Sequence, residues 1–191
     1  MNSHVKSNAR CEASKDGRRL VVLALAASVP LLCALVLFFA LLSNARASEE
    51  RLSMALGDFY LVDSSGEVRN QDAEHDARLK RFDEIMHDEL SKSGKFSLAE
   101  MQCPEAGCTS KELQLDHMLD RAKGAGARFV TVGAVEKMST LVLWTRFEVY
   151  DVPSRQIVFN RLLTFRGDND EAWQRAARYA ARELIKNAPV K

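Results

Sequence analysis

The chain has 191 residues, with 27 lysines and arginines against 26 aspartates and glutamates, a formal net charge of +1. So even a balance argues against a nucleic-acid partner, which calls for a strongly basic patch or domain. Beyond the first fifty or so residues there is enough chain for one domain with a single core, without metals or many disulfides.

Residues 1–19 are polar and basic, with Lys6, Arg10, Lys15, Arg18 and Arg19 outnumbering Glu12 and Asp16. Leu20 to Leu42 then runs 23 residues without a charge, broken only by Ser28 and Pro30. That is long enough to span a bilayer as a helix. Ala45-Arg46-Ala47 follows, with the small-x-small form of a secretory cleavage site. Two readings stand: a signal peptide cut near Ala47, or an uncleaved anchor in the inner membrane. The basic front keeps the N-terminus in the cytoplasm in both, and sends the rest of the chain across. Cys33 reads as an ordinary apolar residue of this segment, since Leu32 stands where lipidation needs a small residue. The expected division is therefore 1–47, basic segment plus signal or anchor, and 48–191, one periplasmic domain.

Leu52–Val62 reads as a first strand, closed by the turn cluster Asp63-Ser64-Ser65-Gly66. Asn70–Ser93 is a helix with Leu79, Phe82, Ile85, Met86 and Leu90 on one face and Gly94 as its stop. Lys95–Met101 is a short strand. Lys111–Lys123 is a second helix, with Leu115, Met118, Leu119 and Ala122 inward. Phe129–Met138 is a buried strand. Leu141–Tyr150 alternates, so that Trp144, Arg146, Glu148 and Tyr150 share one face. Gln156–Phe165 returns antiparallel. The expected register pairs Phe147 with Phe159, Val149 with Ile157, Leu143 with Leu163 and Leu141 with Phe165, which makes one side apolar. The last helix, Glu171–Lys186, buries Trp173, Ala177, Ala180 and Leu184. The order β-α-β-α-β-β-β-α predicts a mixed α/β domain, one sheet with helices on one face.

Several groups are candidates for function. Cys103 and Cys108 are the two cysteines beyond the apolar segment, and an exported even pair reads as a disulfide stapling a loop. Their spacing is not that of a Cys-x-x-Cys redox motif, and zinc would need ligands beyond His117. Asp83 and His87 lie four apart on the first helix, whose start is crowded with Asp72, Glu74, His75 and Asp76. A metal site is one reading of these; acidic residues favoured by the helix dipole are the simpler one. Asp168 is placed to cap the last helix, with Glu171 as its capping-box partner. Calcium at Asn169, Asp170 and Glu171 is a lesser alternative, because the EF-hand spacing is missing. Arg175, Arg178 and Arg182 form a basic stripe on the last helix, suited either to solvent or to an acidic partner or headgroup.

If helices cover one sheet face, Trp144, Arg146, Glu148 and Tyr150 line the other, together with Val158, Asn160 and Leu162. Exposed Trp, Tyr and Arg are typical of protein interfaces. No nucleophile elbow, phosphate loop, dinucleotide fingerprint or histidine zinc motif is present, and no catalytic residue, metal or cofactor is assigned.

The stretches Gly126–Gly133, Leu141–Asp151, Ile157–Phe159 and above all Arg166-Gly167-x-x-Asp170-x-x-Trp173 resemble an exported bacterial family catalogued as domain of unknown function 2380. The resemblance covers most of residues 52–186 and brings no catalytic residues with it. More distantly, the strand ending in Gly133, then Tyr150-Asp151, a turn and Ile157-Val158-Phe159 resemble the N-terminal domain of TolB and the CsgG and LpoB proteins. Those resemblances imply a non-catalytic periplasmic accessory module with an envelope protein as partner. A small-ligand sensor, or a metal-dependent hydrolase using Asp83/His87 or Asp168/Asp170, is the alternative.

Overall fold

The computed structural model describes residues 51–187 except 106. The apolar segment Leu20–Leu42 and the cleavage motif lie outside the described residues. No helix among the described residues is long and apolar enough to cross a membrane. The elements are β1 (Leu52–Leu56), β2 (Tyr60–Asp63), α1 (Asp72–Lys92), β3 (Phe96–Leu98), α2 (Leu115–Gly124), β4 (Phe129–Lys137), β5 (Val142–Asp151), β6 (Gln156–Arg166) and α3 (Asp170–Asn187).

One six-stranded sheet runs in the order β3-β1-β4-β5-β6, with β2 also on β4. β1 pairs in parallel with β3 and β4, and β2 in parallel with β4, while β4, β5 and β6 form an antiparallel meander. The expected single first strand is two strands, both beside β4. Gly57-Asp58-Phe59 breaks it, because there the chain is drawn off the ladder. A side chain at Gly57 would come within 2.6 Å of Met118 Cε and 2.8 Å of the Thr131 carbonyl oxygen. The Phe59 ring lies against Gly133, where a Cβ would sit 2.3 Å from its nearest carbon.

The alternation fixes the faces. Met54, Phe129, Val135, Leu143, Phe147 and Val149 turn to a core built with Phe82, Met86 and Leu90 of α1 and Trp173, Ala177 and Leu184 of α3. A second, smaller core lies on the opposite face, where Val130, Val132 and Tyr150 pack on Met118 and Leu119 of α2 and on Cys108. Helices therefore lie on both faces, not on one as the element order suggested. α2 is short and covers only part of its face. It begins at Leu115, so Leu115 itself is exposed and not inward.

The β5–β6 register differs from the expected one by two residues. Phe147 pairs with Arg161, Val149 with Phe159 and Leu143 with Phe165, while Leu141 precedes β5. A two-residue shift leaves every side chain on its own face, so alternation alone cannot distinguish the two registers. An irregularity between Val149 and Tyr150 takes up the extra residue, Val158, next to the turn.

A buried ionic cluster joins the ends of β4, α1 and α3. The Lys137 ammonium has no exposure and meets Asp63, Glu67 and Asp168, with Gln71 Oε1 accepting a hydrogen bond at 2.7 Å. Asp168 accepts from His75 Nε2 (2.9 Å), Arg78 Nη1 (2.9 Å) and Trp173 Nε1 (3.0 Å). Asp168 is thus not the helix cap. Asn169 caps α3, its Oδ1 accepting from the Ala172 N–H at 3.0 Å. Glu171 turns instead to Arg175. Asp168 is held inward because a buried ammonium needs a carboxylate nearer than water can reach. Burial acts to raise the Asp168 pKa, but the hydrogen bonds from His75, Lys137 and Trp173 outweigh it and bring it down to about 2. Burial likewise acts to lower that of Lys137, and the hydrogen bonds to Glu67 and Asp168 leave it above the ordinary lysine value.

Asp168→Ala should cost about 3–5 kcal/mol at pH 7, as expected for one partner removed from a buried ion pair. A carboxylate with a depressed folded pKa stabilises fully above its ordinary value of 3.8 and loses that contribution as pH falls towards about 2. Urea unfolding of both proteins should therefore show their stability difference narrowing between pH 4 and pH 2. A difference independent of pH in that window would count against the charge-based role.

Candidate functional site

The half of the sheet that α2 leaves bare, among the described residues, is built by β2, β4, β5 and β6. Cross-strand pairing arranges its outward residues in rows: Val62, Glu136, Trp144 and Thr164 form one; Tyr60, Ala134, Arg146 and Leu162 form the next. Val62 and Leu162 are 42% and 48% exposed. Trp144 is half-buried by its neighbours and belongs to neither core. Arg146 is exposed, and no carboxylate among the described residues lies within ion-pair reach of it.

Of the four residues expected on this surface, Tyr150 does not belong to it. It is 8% exposed, within the α2 core. Its hydroxyl donates to Glu148 Oε2 at 2.6 Å, and burial, then that carboxylate, push its pKa up to about 12. The sequence shows that Tyr150 shares a face with Trp144. It does not show where along the strand α2 stops. Tyr60 and Val62 join the surface only because the first strand breaks and its second half moves beside Ala134 and Glu136.

Cys103 and Cys108 form a disulfide, as expected of an even pair in an exported domain. The loop it closes is fastened to the strand break: Asp58 donates its N–H to the Cys108 carbonyl (2.9 Å), and Asp58 Oδ2 accepts from the Cys108 N–H (2.7 Å).

Next to this loop, between the strand break, α1 and β3, lies a cleft of about 340 Å³. Asp83 and His87 both line it, with Asp58, Asp88 and Glu100. Asp83 Oδ1 accepts from the Phe59 N–H at 3.2 Å, and His87 Nε2 is 3.7 Å from Glu100. Desolvation raises the Asp83 pKa to about 8; the Phe59 hydrogen bond opposes this and the Asp58 carboxylate adds to it. Among the described residues no three histidine, cysteine or carboxylate side chains are placed to hold a metal ion. At the α3 start, Asp168 is filled by four donors, so the Asp168/Asp170 pair does not converge on an open position.

The stripe Arg175, Arg178 and Arg182 does come together, and gains Arg166 from the end of β6. The four line a groove of about 530 Å³ between β6 and α3. Arg175 pairs with Glu171, and Arg182 stacks on the exposed Tyr179 ring, 5.7 Å from its centre. Arg166 was missed because it comes from β6, which meets the last helix only in the folded chain.

Over residues 52–185 the sequence matches the model of a family described as protein of unknown function (DUF2380), and the chain belongs to that family. No curated protein matches it in sequence. Among solved structures, the PelC dodecamer from Paraburkholderia phytofirmans is similar at 19% identity and a TM-score of 0.43, over 71% of this chain and 87% of that one. TolB from Acinetobacter baumannii is similar at 17% identity and 0.43, over 75% of this chain but only 30% of the TolB chain. The LpoB C-terminal domain from Escherichia coli is similar at 13% identity and 0.40, over 63% and 87%.

The raised Asp83 acid gives a pH test. The folded state keeps a proton that the unfolded chain releases, so Asp83 makes stability fall as pH rises from 3.8 towards about 8. Asp83→Asn keeps an oxygen for the Phe59 N–H and removes the ionisation. Its Tm should exceed that of the native chain, with a larger gain at pH 8 than at pH 5. An equal gain at both would show that Asp83 is not held neutral.

Proposed function

We propose that this member of the family is an exported, non-catalytic interaction module that binds a protein partner of the cell envelope through the bare half of its sheet. The observation that carries the reading is the four-strand patch itself. Apolar Val62, Trp144 and Leu162 stand in adjacent rows with Arg146, which has no ion-pair partner among the described residues, on a face that α2 covers only in part. A solvated sheet face is ordinarily polar in alternation with a buried one. Large apolar side chains gathered on it, with Trp and Arg among them, are the composition of a binding centre. Export is supported by the apolar run Leu20–Leu42 and by the Cys103–Cys108 disulfide, since such bonds persist in oxidising compartments.

A ligand-sensing role is the second reading. Its support is the cleft at Asp83, where an apolar floor of Phe59 and Met86 meets a carboxyl group kept protonated near neutral pH.

Trp144→Ala/Leu162→Ala should leave the thermal unfolding of the chain within a few degrees of native, because neither side chain is in a core. Affinity capture of the full chain from its native envelope should then recover at least tenfold less of a partner that the native chain retains. Equal recovery of the same partner by both proteins would refute the assignment of this face.

A further inference from the structure

β6 is the last strand of the sheet, and among the described residues no strand pairs with its outer side. It is eleven residues long. Such an edge presents unpaired main-chain donors and acceptors, and it is the kind of surface that takes another chain as a strand unless it is short, bulged or blocked. The irregularity of β6 is confined to the end near Val149 and Tyr150; from Phe159 to Arg166 it pairs with β5 without a shift.

The two flanks of this edge differ sharply. On the helix side lies the groove between β6 and α3, with Leu163, Phe165 and Ala176 along it and Arg166, Arg175, Arg178 and Arg182 around it. Among the described residues, Arg166, Arg178 and Arg182 have no carboxylate within ion-pair distance; Glu171, the partner of Arg175, is itself at the exposed end of the helix. On the opposite side stand Leu162 and, one strand in, Trp144. A strand laid along β6 would send alternate side chains to these two flanks. Arg175 to Arg182 spans about 10 Å of helix, so two same-face side chains about 7 Å apart on a strand fall within the reach of the arginines. Guanidinium groups recognise carboxylates in paired hydrogen bonds. A lipid surface or a free phosphate would satisfy the arginines but has no use for a strand edge with an apolar flank.

We infer that β6 accepts an extended acidic segment of a partner protein as an added strand, its carboxylates at alternate positions in the arginine groove and its apolar residues on the Leu162 side. This deepens the interaction-module reading and rests on it.

The test uses the full chain in detergent and a fluorescein-labelled decapeptide alternating aspartate and valine. Comparison probes are its lysine–valine counterpart, the same composition with the aspartates in one block, a version N-methylated at alternate backbone nitrogens, and phosphatidylglycerol vesicles. The alternating acidic peptide should bind, and each of the other three peptides should bind at least tenfold more weakly. Arg175→Glu/Arg178→Glu should lose at least tenfold, with Arg178→Lys retaining part of the binding and an unchanged circular dichroism spectrum in all. Equal binding of the blocked or N-methylated peptide would overturn strand addition in favour of simple anion attraction. Binding to the vesicles alone, no binding to any probe, or a self-association that excludes the peptide would overturn it too. Trp144-dependent partner capture that survives Arg175→Glu/Arg178→Glu would refute the added strand while leaving the sheet-face reading intact.

Discussion

The buried ammonium of Lys137 is the constraint around which the domain is arranged. An unpaired charge without solvent would be costly enough to forbid the fold, so carboxylates must be brought to it. They come from different parts of the chain: Asp63 at the end of β2, Glu67 in the loop after it, and Asp168 just before α3. Asp168 in turn gathers His75 and Arg78 from α1 and Trp173 from α3. This ties the first turns of α1 and α3 to the same end of β4. The two helices therefore lie side by side on one sheet face, and among the described residues the other face is left to a single short helix. Among the described residues, the half-face left bare follows from that placement of the two long helices.

A second fixture sets how far the other face is covered. The strand break at Gly57 and Asp58 holds the disulfide loop, and Cys108 packs with Met118 and Leu119 in the small core. Coverage reaches Val132 and Tyr150 and stops there. Along β5, Tyr150 is therefore core while Trp144, six residues earlier on the same face, is surface. The break also moves Tyr60 and Val62 beside β4, which widens the uncovered patch by one strand.

Much of this was legible in the sequence where a periodic pattern was long. The inward residues Phe82, Ile85, Met86 and Leu90 of α1, and Trp173, Ala177, Ala180 and Leu184 of α3, follow from helical spacing alone. The alternation of β5 assigned its faces correctly, and the family resemblance through Arg166–Trp173 holds. The failures share one cause: each depends on a contact between distant segments. Register was off by two because facing is unchanged by an even shift. Asp168 looked like a cap because local spacing cannot report Lys137, 31 positions earlier in the chain. Tyr150 looked exposed because no periodicity in β5 marks the edge of α2. Arg166 was left out of the basic stripe because strand and helix meet only in the folded chain. The proposed binding surface depends on such long-range placements, which is why its limits could not be read from the sequence.

Site-specific photocrosslinking in living cells tests the surface most directly. A photoreactive residue at Leu162, on the patch and on the open edge strand itself, should give one discrete adduct with an envelope protein. The same residue at Lys123, on the exposed side of α2, should give none. Adducts absent from position 162, or identical from both positions, would contradict a binding role for the bare half of the sheet.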